Sequence, residues 1–242
     1  MSDPLFEDKR LAELYDPLDP DRSDLDAYLG LAEEFGAHSV LDIGCGTGTF
    51  ACLLALRGHD VTAVDPAAAS LEVAQSKPGA DRVHWVHGDA LALPALQVDL
   101  VTMTGNVVQV FLTESEWSAV LRCSRAALRP GGRLAFEVRD PTKEAWREWN
   151  RDQTYKCVDV AGVGPVETWI ELTEIVGQLV SFRATFVFQN TGDVITSDST
   201  LRFRHRDQLE ASLNAADLVL EGIRGAPDRP GLEFVFVAGR GN

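Results

Sequence analysis

Three short segments of the sequence carry residue types and spacings suited to holding a nucleoside. The first is Val40-Leu41-Asp42-Ile43-Gly44-Cys45-Gly46-Thr47-Gly48, an apolar run that passes directly into a glycine turn. Glycine tolerates positive φ and lets a ligand approach the peptide plane with no Cβ in between. The spacing is Gly-x-Gly-x-Gly: Thr49 follows Gly48, so the Gly-x-Gly-x-x-Gly of a dinucleotide site is not met. No Gly-Lys-Ser/Thr follows to anchor a triphosphate. The second segment ends in Asp65, 17 residues beyond Gly48. That is near the spacing of about 20 at which an acid accepts both hydrogens of a ribose diol. A helix start at Asp65-Pro66 is the competing role. The third is Val86-His87-Gly88-Asp89-Ala90-Leu91, where Asp89 is placed either to accept from an exocyclic adenine amine or to close a turn.

Positioning these segments together requires a parallel sheet. Apolar or β-branched runs at 40–43, 61–64, 83–86, 99–103 and 133–138 alternate with helical segments at 48–57, 66–75 and 114–128. The last helix stops at Arg129-Pro130-Gly131-Gly132. Strands joined by helical crossovers make a sheet with both faces covered. Before it, the acidic stretch Asp16-Pro17-Leu18-Asp19-Pro20 reads as a turn, and Leu25, Tyr28, Leu29, Leu31, Ala32 and Phe35 as a helix capped by Ser23 or Asp24. After Pro141, alternation at 166–176 and 179–188, the turn Asn190-Thr191-Gly192-Asp193 and a strand near 199–204 predict an antiparallel β insertion. Phe182, Ala184, Phe186 and Phe188 share one face, with Arg183 and Thr185 on the other, so one apolar side needs a cover. Asp207 and Glu210 stand at capping-box spacing before a helix through Leu209, Leu213 and Ala216. Runs at 218–223 and 232–238 then predict a hairpin at a sheet edge.

Composition narrows the function classes. The 242 residues are 45% apolar and 24% charged, which excludes a disordered chain. A net charge of −15 disfavours nucleic acid and anionic membrane surfaces as partners. Met1-Ser2-Asp3-Pro4 lacks the basic and apolar regions of a signal peptide, and no apolar run approaches the ~18 residues of a membrane span, so the cytoplasm is expected. Cys45, Cys52, Cys123 and Cys157 form no Cys-x-x-Cys, and His38, His59, His84, His87 and His205 are scattered, so no metal is expected.

Taken together, the glycine loop, Asp65 and Asp89 resemble the class I S-adenosylmethionine-dependent methyltransferases over roughly residues 40–138, and in particular the small-molecule type with a β addition after the fifth strand. Val-Leu-Asp-Ile-Gly-Cys-Gly-Thr-Gly is similar to that family's first motif, and Leu128-Arg129-Pro130-Gly131-Gly132 to its turn into the fifth strand. The resemblance implies a Rossmann-like, doubly wound α/β fold: a mostly parallel seven-stranded sheet with an antiparallel C-terminal hairpin and an antiparallel β insertion. It divides the chain into a helical lid segment at 1–38, a cofactor-binding core at 39–141, the insertion at 142–205, and a helix and hairpin at 206–242. It implies S-adenosylmethionine as methyl donor, S-adenosylhomocysteine as product and no metal. Gly44, Cys45, Gly46 and Gly48 would line the methionine and ribose, with Asp42 steering the loop and the amino group. Asp65 would bind the ribose hydroxyls, Pro66 would stand beside the adenine, Asp89 and the Ala90 backbone would select it, and Thr104 would end the fourth strand facing the methyl.

A sulfonium is already an activated leaving group, so methyl transfer needs an aligned acceptor and excluded water rather than a triad. Ligands gather beyond the carboxyl ends of parallel strands, which selects Asn106 and Gln109, either as acceptor contacts or as helix caps. Arg139 shares a strand face with Glu137 and suits an acidic acceptor or a surface ion pair. Trp146 and Trp149 share a helix face, as a pocket wall or as core. By resemblance, Tyr15 belongs to a lid. The expected function is transfer of a methyl group to an O or N atom of a small molecule by a monomer or homodimer, with the insertion as roof or subunit contact. The alternatives are a non-catalytic S-adenosylmethionine-binding subunit and an NAD-dependent oxidoreductase, the latter disfavoured by Thr49 and the terminal hairpin.

Overall fold

The computed structural model describes residues 3–241. In chain order, helices α1 (Pro4–Glu7), α2 (Lys9–Leu18) and α3 (Asp26–Glu34) precede β1 (Ser39–Ile43), α4 (Thr49–Leu56), β2 (Asp60–Asp65), α5 (Ala68–Gln75), β3 (Val83–His87), β4 (Val98–Met103), α6 (Glu114–Ala127) and β5 (Leu128–Arg139). There follow α7 (Arg151–Thr154), strands β6 (Lys156–Val160), β7 (Gly164–Val176), β8 (Leu179–Phe188) and β9 (Val194–Arg202), then α8 (Arg206–Ala215), β10 (Leu218–Gly225) and β11 (Glu233–Arg240).

Seven strands form one sheet in the order β10-β11-β5-β4-β1-β2-β3. β1 to β5 are parallel, and β11 runs antiparallel to both β5 and β10. The period of two sorts side chains between two cores. Leu41, Val101, Met103 and Phe136 point to the α6–α8 side, against Trp117, Leu121, Leu209 and Leu213. Val40, Val61, Leu100 and Ala135 point to the α3–α4 side, against Tyr28, Leu29, Phe50 and Leu54. Covering both faces aligns the carboxyl ends of β1, β2, β4 and β5 at one edge. No helix among the described residues is long and apolar enough to cross a membrane.

β6 to β9 form a separate antiparallel sheet in sequence order. Its apolar side is covered by the chain's own α2: Leu11 and Leu14 bury among Val160, Val166, Ala184, Phe186 and Phe188. Leu5 N donates to Ser197 Oγ (2.9 Å), and Arg10 pairs with Asp193 (3.0 Å).

Several local expectations are corrected. Asp16 and Pro17 lie inside α2, because Leu11 and Leu14 gain burial on the insertion; Pro17 has no N–H for the Glu13 carbonyl, and the helix ends one residue later at Leu18. Neither Ser23 nor Asp24 caps a helix: both sit in a 3₁₀ turn, Ser23–Leu25, that runs into α3. α5 starts at Ala68, not at Pro66, since the Asp65 carboxylate accepts from Ala67 N (2.8 Å) and holds that turn outside the helix. α8 starts two residues before the expected box: Gln208 Oε1 accepts from His205 N (2.9 Å), leaving Asp207 in the first turn. Residues 129–132 belong to β5, and the strand expected near 199–204 is β9, which begins at Val194.

Candidate active site

The glycine loop joins β1 to α4. Gly44, Gly46 and Gly48 have φ of 72°, 53° and 72°. At two of them packing adds a second demand: a Cβ on Gly44 would lie 2.6 Å from a Val107 methyl, and one on Gly48 would lie 2.6 Å from Ala74 and Trp85. Gly46 differs, because nothing lies within 4 Å of its Cβ position. Space is open over the middle of the loop. The loop is fixed from β2, whose Val64 O accepts from Gly44 N (2.9 Å) and Cys45 N (3.2 Å). Asp65 Oδ2 accepts from Gly46 N (2.8 Å) while its Oδ1 takes Ala67 N. Asp65 is only 8% exposed. Burial raises its pKa, and the two N–H bonds oppose that rise.

Asp42 lies beneath the loop. Its Oδ1 accepts from Thr102 Oγ1 (2.9 Å), whereas Oδ2 is buried with no partner. Burial pushes its pKa up to about 7, with the nearby Asp65 adding to the rise. The Cys45 thiol is raised well above its ordinary range by burial and by Asp42 and Asp65, so it is neither a thiolate nor a nucleophile here. Asp89 is exposed and its Oδ1 takes Leu91 N (2.8 Å), which is the turn role, leaving the second oxygen free; Ala90 is buried. Pro66 is exposed, with its carbonyl 3.0 Å from His87 Nε2, and Thr104 is half-buried just past β4.

Beyond β4, Gly105 and Asn106 take consecutive positive φ values of 66° and 61°. This turns both N–H groups onto Glu137 Oε1, at 2.5 Å and 3.2 Å, a backbone anion nest filled by the chain's own carboxylate. Tyr28 OH donates to the other oxygen (2.5 Å). Burial is the main cause of the raised pKa of Glu137. Glu233, directly across from Arg139 in the β11–β5 register, accepts from Asn106 Nδ2 (3.2 Å) and Arg229 Nη1 (2.7 Å), with Arg139 Nε at 3.7 Å. Arg139 Nη1 donates to Gln109 Oε1 (2.8 Å).

α2 closes over the loop. Asp16 Oδ1 accepts from Thr47 Oγ1 (2.9 Å) and Thr49 Oγ1 (3.2 Å), and Lys77 Nζ sits 2.6 Å from Asp16 Oδ2. Tyr15, beside it, is 38% exposed and packs on Phe6, with Arg22 and Arg139 within electrostatic reach of its hydroxyl. The structure therefore brings Asp42, the three glycines, Asp65, Asn106, Gln109 and Arg139 to one sheet edge, under a helix that carries Tyr15. Trp146 belongs elsewhere. It and Trp149 lie on or beside a 3₁₀ turn (Ala145–Glu148) rather than an α-helix, and they pack edge-on against Phe203 (4.5 Å) and Phe182 (4.8 Å) at the base of the insertion.

Residues 40–132 match the model of a methyltransferase domain. The chain is 34% identical over 148 residues to cypemycin N-terminal methyltransferase of a Streptomyces species, covering 59% of this chain and 60% of that protein. It is 30% identical over 184 residues to malonyl-[acyl-carrier protein] O-methyltransferase of Serratia marcescens, covering 72% and 66%. The chain thus spans about two thirds or less of the lengths of these relatives. In structure it is similar to S-adenosylmethionine-bound CalS10, an amino pentose methyltransferase of Micromonospora echinaspora, with a TM-score of 0.70, 22% identity, and 91% and 93% coverage. The chain belongs to the class I S-adenosylmethionine-dependent methyltransferase family. The motif that carries the resemblance in the sequence is the loop whose middle glycine faces open space.

Three features of this region escape sequence reading. Asp16 lies in a stretch that reads as a turn, and its partners Thr47 and Lys77 are far away in sequence. Tyr28 reads only as one apolar position of a helix, yet its hydroxyl reaches Glu137 across 109 residues. Glu233 follows a Pro/Gly turn with nothing local to mark it. Its place comes from register alone: it opens β11 directly across from Arg139 in β5.

Proposed function

We propose that the chain is a methyltransferase that moves a methyl group from S-adenosylmethionine to a nitrogen atom of a small-molecule acceptor. The observation that carries this reading is the pairing of open space over Gly46 with the unpartnered, buried Asp42 Oδ2 beneath the same loop. A cation-bearing adenosyl ligand fits that pair: Asp42 would face its amino group, directly or through water, and the loop backbone would lie along its methionine and ribose portions. Asp65 keeps lone pairs for a ribose diol while holding Gly46 N, and the free oxygen of Asp89 suits an adenine amine. When bound, S-adenosylmethionine supplies a sulfonium methyl that an acceptor lone pair displaces, the carbon–sulfur electrons staying on sulfur. The chain's own work is to bind, orient and exclude water.

Nitrogen is favoured over oxygen by what surrounds the β4 and β5 tips. Glu137 is occupied by three donors and is not free to take a proton from an alcohol, and His87, whose Nε2 donates to Pro66 O, stands at the β3 tip with β1 and β2 between it and β4. A neutral amine attacks with its own lone pair and sheds its proton to water afterwards. The name of the cypemycin N-terminal enzyme supports the same choice, and that of the malonyl carrier enzyme supports oxygen. Residues 1–38 serve as lid and 142–205 as roof; α2 filling the apolar side of the insertion supports a roof over a subunit contact. Tyr15, Asn106, Gln109 and Arg139 would line the acceptor pocket, with Trp146 stiffening the roof.

Calorimetric titration with S-adenosylmethionine, S-adenosylhomocysteine and NAD tests the donor assignment. Both adenosyl ligands are expected to bind at one site and NAD not to bind; NAD binding alone would return the loop to hydride chemistry. A chain that binds the donor yet methylates no amine would favour the non-catalytic subunit.

A further inference from the structure

The turn after β4 carries two amides that are each half used. Asn106 and Gln109 are 4% and 1% exposed, yet Asn106 Oδ1 and Gln109 Nε2 lack a hydrogen-bond partner. Their neighbours decide which end is left over. A carboxylate only accepts, so Glu233 must take the Nδ2 end of Asn106 (3.2 Å). A guanidinium only donates, so Arg139 must take the Oε1 end of Gln109 (2.8 Å). What remains is one acceptor and one donor. Gln109 N bonds Asn106 O (2.9 Å), which closes the turn that holds both, and Val107 between them sits against Gly44 of the glycine loop. Native interiors leave few polar atoms unpaired, and two in one turn beside a ligand loop point to a ligand that completes them.

We infer that Asn106 Oδ1 takes an N–H of the attacking amine and that Gln109 Nε2 donates to an oxygen on the carbon next to it, so the acceptor is an amine with an oxygen on the adjacent carbon. A vicinal amino alcohol and an α-amino amide both present that pair. This assignment rests on the donor and nitrogen reading above. A group offering only lone pairs, such as a carboxylate or phosphate, would leave Asn106 Oδ1 facing another acceptor. An unsubstituted alkyl amine would leave Gln109 Nε2 unpaired. An N–H held on Asn106 Oδ1 also turns the nitrogen lone pair away from the amide, so Asn106 orients the nucleophile as well as selecting it.

The test measures S-adenosylhomocysteine release by the full chain on two matched pairs: 2-aminocyclohexanol against cyclohexylamine, and leucinamide against 3-methylbutylamine. Rates are expressed per neutral amine. The oxygen-bearing member of at least one pair is expected to show kcat/KM at least about tenfold higher, and the responding pair tells hydroxyl from carbonyl. Gln109→Glu keeps an oxygen for Arg139 and replaces the free donor by a lone pair; it is expected to erase the preference with S-adenosylmethionine affinity unchanged. Equal rates within both pairs, or no methylation by a chain that binds S-adenosylmethionine, overturns the inference. So does a preference that survives Gln109→Glu, or a parallel loss of S-adenosylmethionine affinity, which would assign Gln109 to the fold. A wild-type chain that binds no S-adenosylmethionine overturns instead the reading on which the inference rests.

Discussion

At the glycine loop, position is set by the main chain: three positive φ angles, two carbonyl–amide bonds from Val64, and Asp65 holding Gly46 N. Under the insertion it is set by apolar side chains from distant parts of the sequence, Leu11 and Leu14 on Ala184, Phe186 and Phe188. The two regimes respond to change differently. A backbone-built loop tolerates almost no substitution, and at Gly44 and Gly48 the packing of Val107, Ala74 and Trp85 narrows it further. A packed apolar face accepts other residues that fill it, so the insertion can be reshaped without touching the glycine loop.

Gly46→Val should separate the two regimes most sharply. The new side chain enters open space, so strain at a φ of 53° costs only about 1–2 kcal/mol of stability. Binding of S-adenosylmethionine is nonetheless expected to vanish from calorimetry, and wild-type affinity in this variant would make the loop merely structural. Phe186→Ala works from the other side. Truncating this buried ring is expected to lower stability by about 3–5 kcal/mol in urea unfolding and to expose α2 to limited proteolysis. A loss of less than about 1 kcal/mol would show that the roof does not depend on this contact.

Asp65→Ala touches the donor loop alone. Loss of the charge-assisted bonds should weaken S-adenosylmethionine binding by about 1.5–3 kcal/mol with circular dichroism unchanged. Unaltered affinity would remove Asp65 from the site. The smallest effect is a pH dependence. Asp42 has a folded pKa of about 7 against an ordinary 3.8, so between those values the folded chain holds a proton that the unfolded chain has lost. Its contribution to stability therefore declines as pH rises from about 4 to 7 and is flat above. Donor affinity should move the opposite way, rising up to about tenfold as Asp42 ionises through pH 7. Asp42→Asn should show neither trend, and a pH profile identical to wild type would assign the titration to another group.

The same division explains what is legible in the sequence. Glycines forced by positive φ, an acid at the next strand tip and apolar runs of period two are local signals, so β1 to β5 and the donor loop are readable from the residues alone. The β8 face is legible as Phe182, Ala184, Phe186 and Phe188, but its cover is not. α2 is hidden by Pro17 and the acidic residues around it, and the burial that favours its helical state is on a sheet far along the chain. Asn106 and Gln109 are visible as polar residues past a strand. Which amide end stays free is not, because Glu233 and Arg139 decide it from across the sheet.

The strand order has a consequence for how the molecule is made. β11 inserts between β5 and β10, and its first residue, Glu233, aligns Asn106. A chain leaving the ribosome can join β1 to β5 and shape the donor loop while residues 140–242 are still to come. α2 can reach the glycine loop through Asp16, but Leu11 and Leu14 stay uncovered until Phe188 emerges, and Asn106 is not aligned until Glu233 does. During synthesis the glycine loop can thus form before the contacts that order the turn after β4, which are installed last.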